Sequence, residues 1–225
     1  MKITALELHC ESIASTLDFY KNIIGLPVLY RNEEKVVFAA GSTKLVFRKS
    51  FEDKPVYHFA FNIPGNKFEE AFLWASSKFT LFNITSQTTV ANFTSWNARA
   101  FYFLDNNQNI VEFIARYDLP AKSGKPFSGS SILSVSEIGL VVENVEAFCE
   151  VLIEDFGLDY FAKQTPQQDF APLGNDEGLL IVVANNRKWY PTNIRSNPCY
   201  TKVEFEQNGR FAEFEINLEE VLAIR

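Results

Sequence analysis

Two stretches of this 225-residue chain, one near residue 6 and one near residue 138, carry the same pattern, and that repeat constrains the fold more than any other feature. Shifted by 132 residues, Leu6, Leu8, Cys10, Gly25 and Leu26 fall on Ile138, Leu140, Val142, Gly157 and Leu158. Each copy opens with an alternating apolar segment, the mark of a strand with one buried face. In the first copy only Ile3 is out of step. Ser12 is the expected N-cap of a helix over 13–24, where Ile13, Leu17, Tyr20 and Ile24 recur at helical spacing. Gly25 and then Pro27 stop that helix, and Gly157-Leu158 stops its counterpart over 145–156.

The remaining segments extend the pattern. Strands are expected at 27–31, 35–40 and 43–49. A second unit opens with a strand at 56–63 and a helix at 67–78. It closes with strands at 99–104 and 110–116, split by the turn Asp105-Asn106-Asn107-Gln108-Asn109. The polar stretch 83–97 has no clear assignment. Residues 118–131 are rich in Pro, Gly, Ser and Lys and read as a linker. After the linker, strands are expected at 138–142, 158–163, 168–173 and 178–184. Two more are expected at 200–206 and 210–216, joined by the hairpin turn Gln207-Asn208-Gly209, and a short helix near 218–223 closes the chain. The expected class is therefore α+β, built from βαβββ units: two before the linker, one after it, and a degenerate fourth. The expected division is a paired-module domain over 1–117, the linker 118–131, and a second domain over 132–225.

Composition narrows the partners. With 21 Lys+Arg against 28 Asp+Glu the net charge is −7, which argues against nucleic acid, whose binders need a basic footprint. No window is long and apolar enough to span a membrane. The three cysteines, Cys10, Cys149 and Cys199, are scattered and read as reduced thiols, so a cytoplasmic setting is expected. No Gly-rich phosphate loop and no paired-Cys motif is present.

Three segments resemble the vicinal oxygen chelate superfamily of glyoxalases, bleomycin- and fosfomycin-resistance proteins and extradiol dioxygenases. They are Ser15-Thr16-Leu17-Asp18-Phe19-Tyr20 with Gly25-Leu26, then Tyr57-His58-Phe59-Ala60-Phe61, and finally Ala100-Phe101-Tyr102-Phe103-Leu104-Asp105 running to Ile110-Val111-Glu112-Phe113. The resemblance implies a cupped mixed sheet made by paired modules, with helices on its outer face. The concave face often carries a divalent metal, held by His and Glu from the first and last strands of each module.

Carried over residue by residue, the second-module ligand positions fall on His58 and Glu112. The first-module positions fall on Ala5 and at or near Lys44, which cannot bind metal in the family's way, since one side chain has no donor and the other is a cation. Glu7 is the nearest stand-in; His9 lies four residues from Ala5, about 13 Å at roughly 3.3 Å per residue. Two readings follow. In the first, the protein binds a small polar or aromatic molecule in the first cup without a standard metal, with Lys44 and Glu112 forming a buried ion pair where the ion would sit. In the second, it is a lyase, isomerase or dioxygenase using Zn, Ni, Mn or Fe held by His58, Glu112 and Glu7. Glu7, His9, Lys44, Arg48, His58, Asn62, Tyr102 and Glu112 are the expected ligand-contacting residues, and Arg116 also falls on a concave face. Glu137 occupies the place of Ala5 in the repeat, but the post-linker half contains no histidine and is expected to shield or extend the scaffold. Trp189, Tyr190 and Pro191 read as a packed loop, with cover of a pocket mouth as the other reading. The assembly is expected to be a pseudo-symmetric monomer or a homodimer.

Overall fold

The computed structural model describes residues 1–50, 54–217 and 223–224. The first unit runs β1 (Lys2–Cys10), α1 (Ile13–Asp18), β2 (Val28–Arg31), β3 (Lys35–Ala40) and β4 (Thr43–Lys49). The second runs β5 (His58–Asn62), α2 (Phe68–Ser76), β6 (Ala91–Phe93), β7 (Ala98–Leu104) and β8 (Ile110–Arg116). The third runs β9 (Ser134–Val142), α3 (Val145–Phe156), β10 (Phe170–Asn175) and β11 (Gly178–Ala184). The fourth is strands only: β12 (Thr201–Gln207), β13 (Arg210–Ile216) and β14 (Ala223–Ile224). Most of the short helix expected near 218–223 lies outside the described residues.

The helix stops work as the repeat implies. Ser12 caps α1 by accepting from the Ser15 N–H, and Asn144 caps α3 from the Ala147 N–H. Gly25 and Gly157 both end their helices in the left-handed conformation, at φ 91° and 63°. After Asp18 the first helix widens into a π turn over Phe19–Ile24, which turns Phe19, Tyr20 and Ile24 all into the core. The unplaced stretch 83–97 contains only β6 and a 3-10 turn at Thr94–Trp96.

The strands form two seven-stranded sheets. Sheet A has the order β14-β13-β12-β1-β4-β3-β2, and sheet B the order β10-β11-β9-β5-β8-β7-β6. Both are mixed: β1 and β4, β5 and β8, and β9 and β11 pair parallel, and the other neighbours pair antiparallel. This pairing crosses the division expected at 118–131. The first unit pairs with the fourth through β1 and β12, and the second with the third through β5 and β9. Both pairings are made within one chain. The unit boundaries are local and follow apolar patterning, whereas the choice of partner is made by tertiary packing.

The out-of-step Ile3 has a structural cause. The β1–β12 register shifts between Ile3 and Ala5, so Thr4 is a bulge and Ile3 rejoins Leu6 on the buried face. The β5–β9 register shifts opposite Val135 and Glu137, which leaves Ser136 as the bulge, 132 residues after Thr4. The repeat therefore extends to an irregularity of the backbone. Thr43 ties the two bulges together: its hydroxyl donates to the Ile3 carbonyl at 2.7 Å and accepts from the Val135 N–H at 3.0 Å.

One apolar core unites both sheets, with Leu6, Leu8, Phe38 and Phe47 from sheet A and Phe59, Phe61, Phe113 and Leu140 from sheet B. A second cluster, including Ala60, Tyr102, Ile114, Val141, Ile181 and Trp189, covers the opposite, inner face of sheet B. One expected strand is missing. Residues 158–163 make only the bridge Tyr160–Leu173 beside β10, with the Phe161 N–H on the Pro172 carbonyl. Pro172 has no N–H to return, so the ladder ends there. Among the described residues no helix is long and apolar enough to cross a membrane.

Candidate metal and ligand site

The site is set by strand parity. On β5, His58, Ala60 and Asn62 point to the inner face of sheet B, and on β8 Glu112, Ile114 and Arg116 do so too. Across the β5–β9 pair, Glu137 stands opposite Ala60, which in turn neighbours Glu112. Ala60 is too small to separate its neighbours, so His58, Glu112 and Glu137 converge over it. One donor atom from each lies within 4.8 Å of the others, and all three residues are buried.

The histidine tautomer follows from its partner. His58 Nδ1 lies 3.1 Å from the Ile110 carbonyl, which can only accept, so Nδ1 carries the proton. Nε2 then presents its lone pair to Glu112 Oε2 at 3.6 Å. Burial pushes His58 down to about 4, with the Ile110 hydrogen bond only partly opposing it. Burial also lifts Glu112 well above the usual carboxylate range, and the charge of Glu137 adds to that rise. Glu137 is raised by burial too, with the Arg116 guanidinium pulling the other way. In the absence of a metal ion, burial therefore favours the neutral forms of His58 and Glu112 on the floor of this cup, while Glu137 is paired to Arg116.

Arg116 is the cation under the floor. Its side chain is fully buried and contacts Glu137 and Asp176, while its Nε donates to Ser136 Oγ at 3.2 Å. The bulge at Ser136 brings that hydroxyl and the adjacent Glu137 to the same guanidinium. Trp96 stacks over the guanidinium at 5.3 Å. Asp176 passes the contact to Lys163, at 2.6 Å, and Lys163 to Asp118, at 2.7 Å, near the surface.

Above the floor is a cavity of about 270 Å³. Its walls include Phe93, Trp96, Tyr102, Phe170, Trp189 and Tyr190. Trp189 and Tyr190 belong to the loop between β11 and β12 and do line the pocket. The Trp189 ring lies 5.3 Å from that of His58.

The other expected residues are elsewhere. Glu7, His9, Lys44 and Arg48 belong to sheet A. Ala5 stands opposite Lys44 there, and Lys44 is exposed. The expected Lys44–Glu112 ion pair is therefore not formed; Arg116 and Glu137 make a buried pair in its place. Glu7 cannot join His58 and Glu112. It accepts from both Nε and Nη2 of Arg48, at 2.9 and 3.3 Å, and from the Tyr200 hydroxyl at 3.1 Å. His9 stacks on Tyr200 with ring centroids 4.2 Å apart. Asn62 shares β5 with His58 but lines a separate cavity of about 420 Å³, where its Nδ2 donates to Ser134 Oγ at 3.3 Å. Of the expected residues, His58, Tyr102 and Glu112 meet in one hollow. Glu137 completes it from a half of the chain expected only to support the scaffold; the signal was a lone carboxylate in the apolar run Ser134–Val142.

The donor set fits a divalent ion. Two carboxylates and one imidazole nitrogen with a fixed tautomer are a suitable mixed N/O set. The Ile110 carbonyl supplies the outer hydrogen bond that holds a ligating histidine in orientation.

No sequence-family profile and no curated protein matches the chain. Solved structures do match. A candidate dioxygenase from Bacillus subtilis superposes over 99% of this chain and 83% of its own, with a TM-score of 0.64 and 12% identity. The V278E mutant of glyoxalase I from Zea mays superposes over 97% of this chain and 75% of its own, with a TM-score of 0.56 and 13% identity. In its units and its two sheets, the chain has the fold of this candidate dioxygenase and of this glyoxalase I.

Proposed function

We propose that the inner face of sheet B is a divalent-metal site that acts on a small molecule carrying oxygen donors, with His58, Glu112 and Glu137 as the protein ligands. One observation carries this reading. The His58 Nε2 lone pair, a Glu112 oxygen 3.6 Å from it and a Glu137 oxygen face one another in a buried setting, and a divalent ion between them would balance the carboxylate charge that burial disfavours. A bound ion would supply Lewis-acid polarisation of a ligand oxygen. The chain supplies the rest. Ile110 orients the imidazole, Arg116 holds Glu137 in place, and the aromatic walls exclude water from the floor.

The test is calorimetric titration of chelator-treated protein with Zn, Ni, Mn and Fe(II), with elemental analysis of the loaded protein. One ion per chain is expected, and His58→Ala and Glu137→Gln should abolish binding. An unaltered isotherm in both variants removes the site. A metal-free small-molecule binder is the second reading. The Arg116–Glu137 pair favours it, because that pair balances one carboxylate and burial favours the neutral form of the other. The absence of heat with all four ions, together with binding of aromatic fragments in the same cup, would select it.

A further inference from the structure

The cup of sheet B has a charged group away from its floor as well as on it. Arg187 borders the same cavity, and it is the one Lys or Arg that does so. Its place follows from the ladder. Phe170 on β10 stands opposite Val183, four residues along β11 from Leu179, the neighbour of Glu137. That is about 13 Å along the sheet at roughly 3.3 Å per residue. The Phe170 ring packs with the inner-face cluster, and the Arg187 guanidinium lies over that ring at 5.1 Å. The cation is therefore on the inner side of sheet B. Its side chain is 29% exposed, against 3% for Glu112 and 4% for Glu137, so it stands toward the open end of the cup.

The fold leaves part of this cation unused. Its Nε donates to Asp169 Oδ2 at 3.0 Å and its Nη1 to the Lys188 carbonyl at 3.4 Å, while Nη2 has no partner among the described residues. Asp169 is 54% exposed, so water screens that pair and the guanidinium can still attract an anion. The loop 185–195 adds Lys188 and Arg195 and contains no acid, in a chain of net charge −7. A local positive field over an apolar hollow concentrates organic anions there. The fork of a guanidinium matches the planar, two-oxygen outline of a carboxylate. The walls between the two ends are ring faces and edges: Tyr190 packs edge-on against Tyr102 at 5.8 Å and against Phe93 at 6.2 Å. A volume of about 270 Å³ limits the body of a ligand to a single ring.

We propose that Arg187 is the specificity-determining residue of this cup and that the ligand class is a small aryl carboxylate. Its carboxylate meets Arg187, its ring lies between the aromatic walls, and an oxygen substituent at the far side of the ring meets the floor at His58 and Glu112. The inference rests on reading the sheet B cup as the ligand site, and it does not require that a metal be present.

The test is calorimetric titration of the full-length protein with 4-hydroxybenzoate and with 4-hydroxybenzamide, which has the same outline and no charge. The acid should bind the wild type more tightly than the amide. Arg187→Met should weaken the acid about ten- to a hundredfold, the worth of a charged hydrogen bond, and leave the amide unchanged. Lys188→Met removes the same charge from the next position, whose amine bonds Asn193 at 2.9 Å and does not border the cavity, and it should leave both probes unchanged. Equal affinity for the two probes, an equal loss of both in Arg187→Met, as large a loss of the acid in Lys188→Met, or no binding of the acid overturns the proposal. Zinc titration of the same proteins separates the readings. Zinc bound by the wild type and by Arg187→Met with no preference for the acid defeats only the role of Arg187. A preference for the acid that Arg187→Met abolishes, without zinc binding, defeats only the metal.

Discussion

The two sheets share a scaffold, and their inner faces differ in almost every chemical respect. In sheet A the bulge at Thr4 is followed by Ala5; in sheet B the bulge at Ser136 is followed by Glu137. Lys44 stands opposite Ala5, and Leu179 opposite Glu137. Sheet A carries its carboxylate on Glu7, whose side chain is 15% exposed and grips Arg48, itself 41% exposed. Burial raises Glu7, and the hydrogen bonds from Arg48 and Tyr200 more than reverse that, so it stays a carboxylate. In sheet B the charge of Arg116 and the hydrogen bond from Tyr102 oppose burial at Glu112 without reversing it. The lesson is that charged groups of one kind form a solvated pair on one face and a high-energy constellation on the other, and dehydration decides which.

Breaking the buried pair should give the largest effect. Arg116→Ala leaves Glu137 without its cation and should cost about 3–5 kcal/mol in urea unfolding. If it costs no more than the corresponding change at Arg48, the contrast between the faces is void. Acid comes next. His58 is neutral in the folded, metal-free protein and protonates near 6.5 when unfolded, so stability falls as pH drops from 6.5 toward 4. The lowering amounts to about 3 kcal/mol at 1.36 kcal/mol per pKa unit, and His58→Gln should abolish it. Glu112 has the opposite sign. Its raised pKa means a contribution present below about 4.5 and lost as pH rises, so Glu112→Gln should gain on the wild type with increasing pH. Metal at 100 times its dissociation constant should stabilise the fold by about 2.7 kcal/mol and raise the midpoint of thermal unfolding accordingly. Glu7→Gln should keep that shift and Glu137→Gln should lose it. Arg48→Ala, at a half-exposed pair, should cost about 1 kcal/mol or less. Smallest is Lys44→Ala, expected within about 0.5 kcal/mol; a larger loss would point to a buried partner for that amine.

Much of the fold was legible because it is periodic. The strands at 35–40, 43–49 and 110–116, the helix at 145–156 and both glycine stops lie where apolar spacing puts them. Even the bulge left a trace, in the misplaced Ile3. The site was half legible. His58 and Glu112 stand on strands that the sequence locates, and their parity fixes the face they share. Glu137 was visible as the counterpart of Ala5, yet nothing local shows that β9 lies beside β5 while β1 lies beside β12. That choice is made by contacts between residues far apart in sequence, and it exchanged Ala5 and Lys44 for Glu137 and Arg116.

The order of pairing also has a consequence for how the molecule is made. Everything sheet B needs lies between residues 58 and 184, a continuous span that can close on itself as soon as it leaves the ribosome. Sheet A is assembled from the two outermost parts of the chain, so the free edge of β1 must wait for β12, roughly two hundred residues later. For that interval an unsatisfied strand edge is open to foreign pairing, and so distant a contact forms late. The strands that floor the hollow would be in place while the sister sheet was still half built.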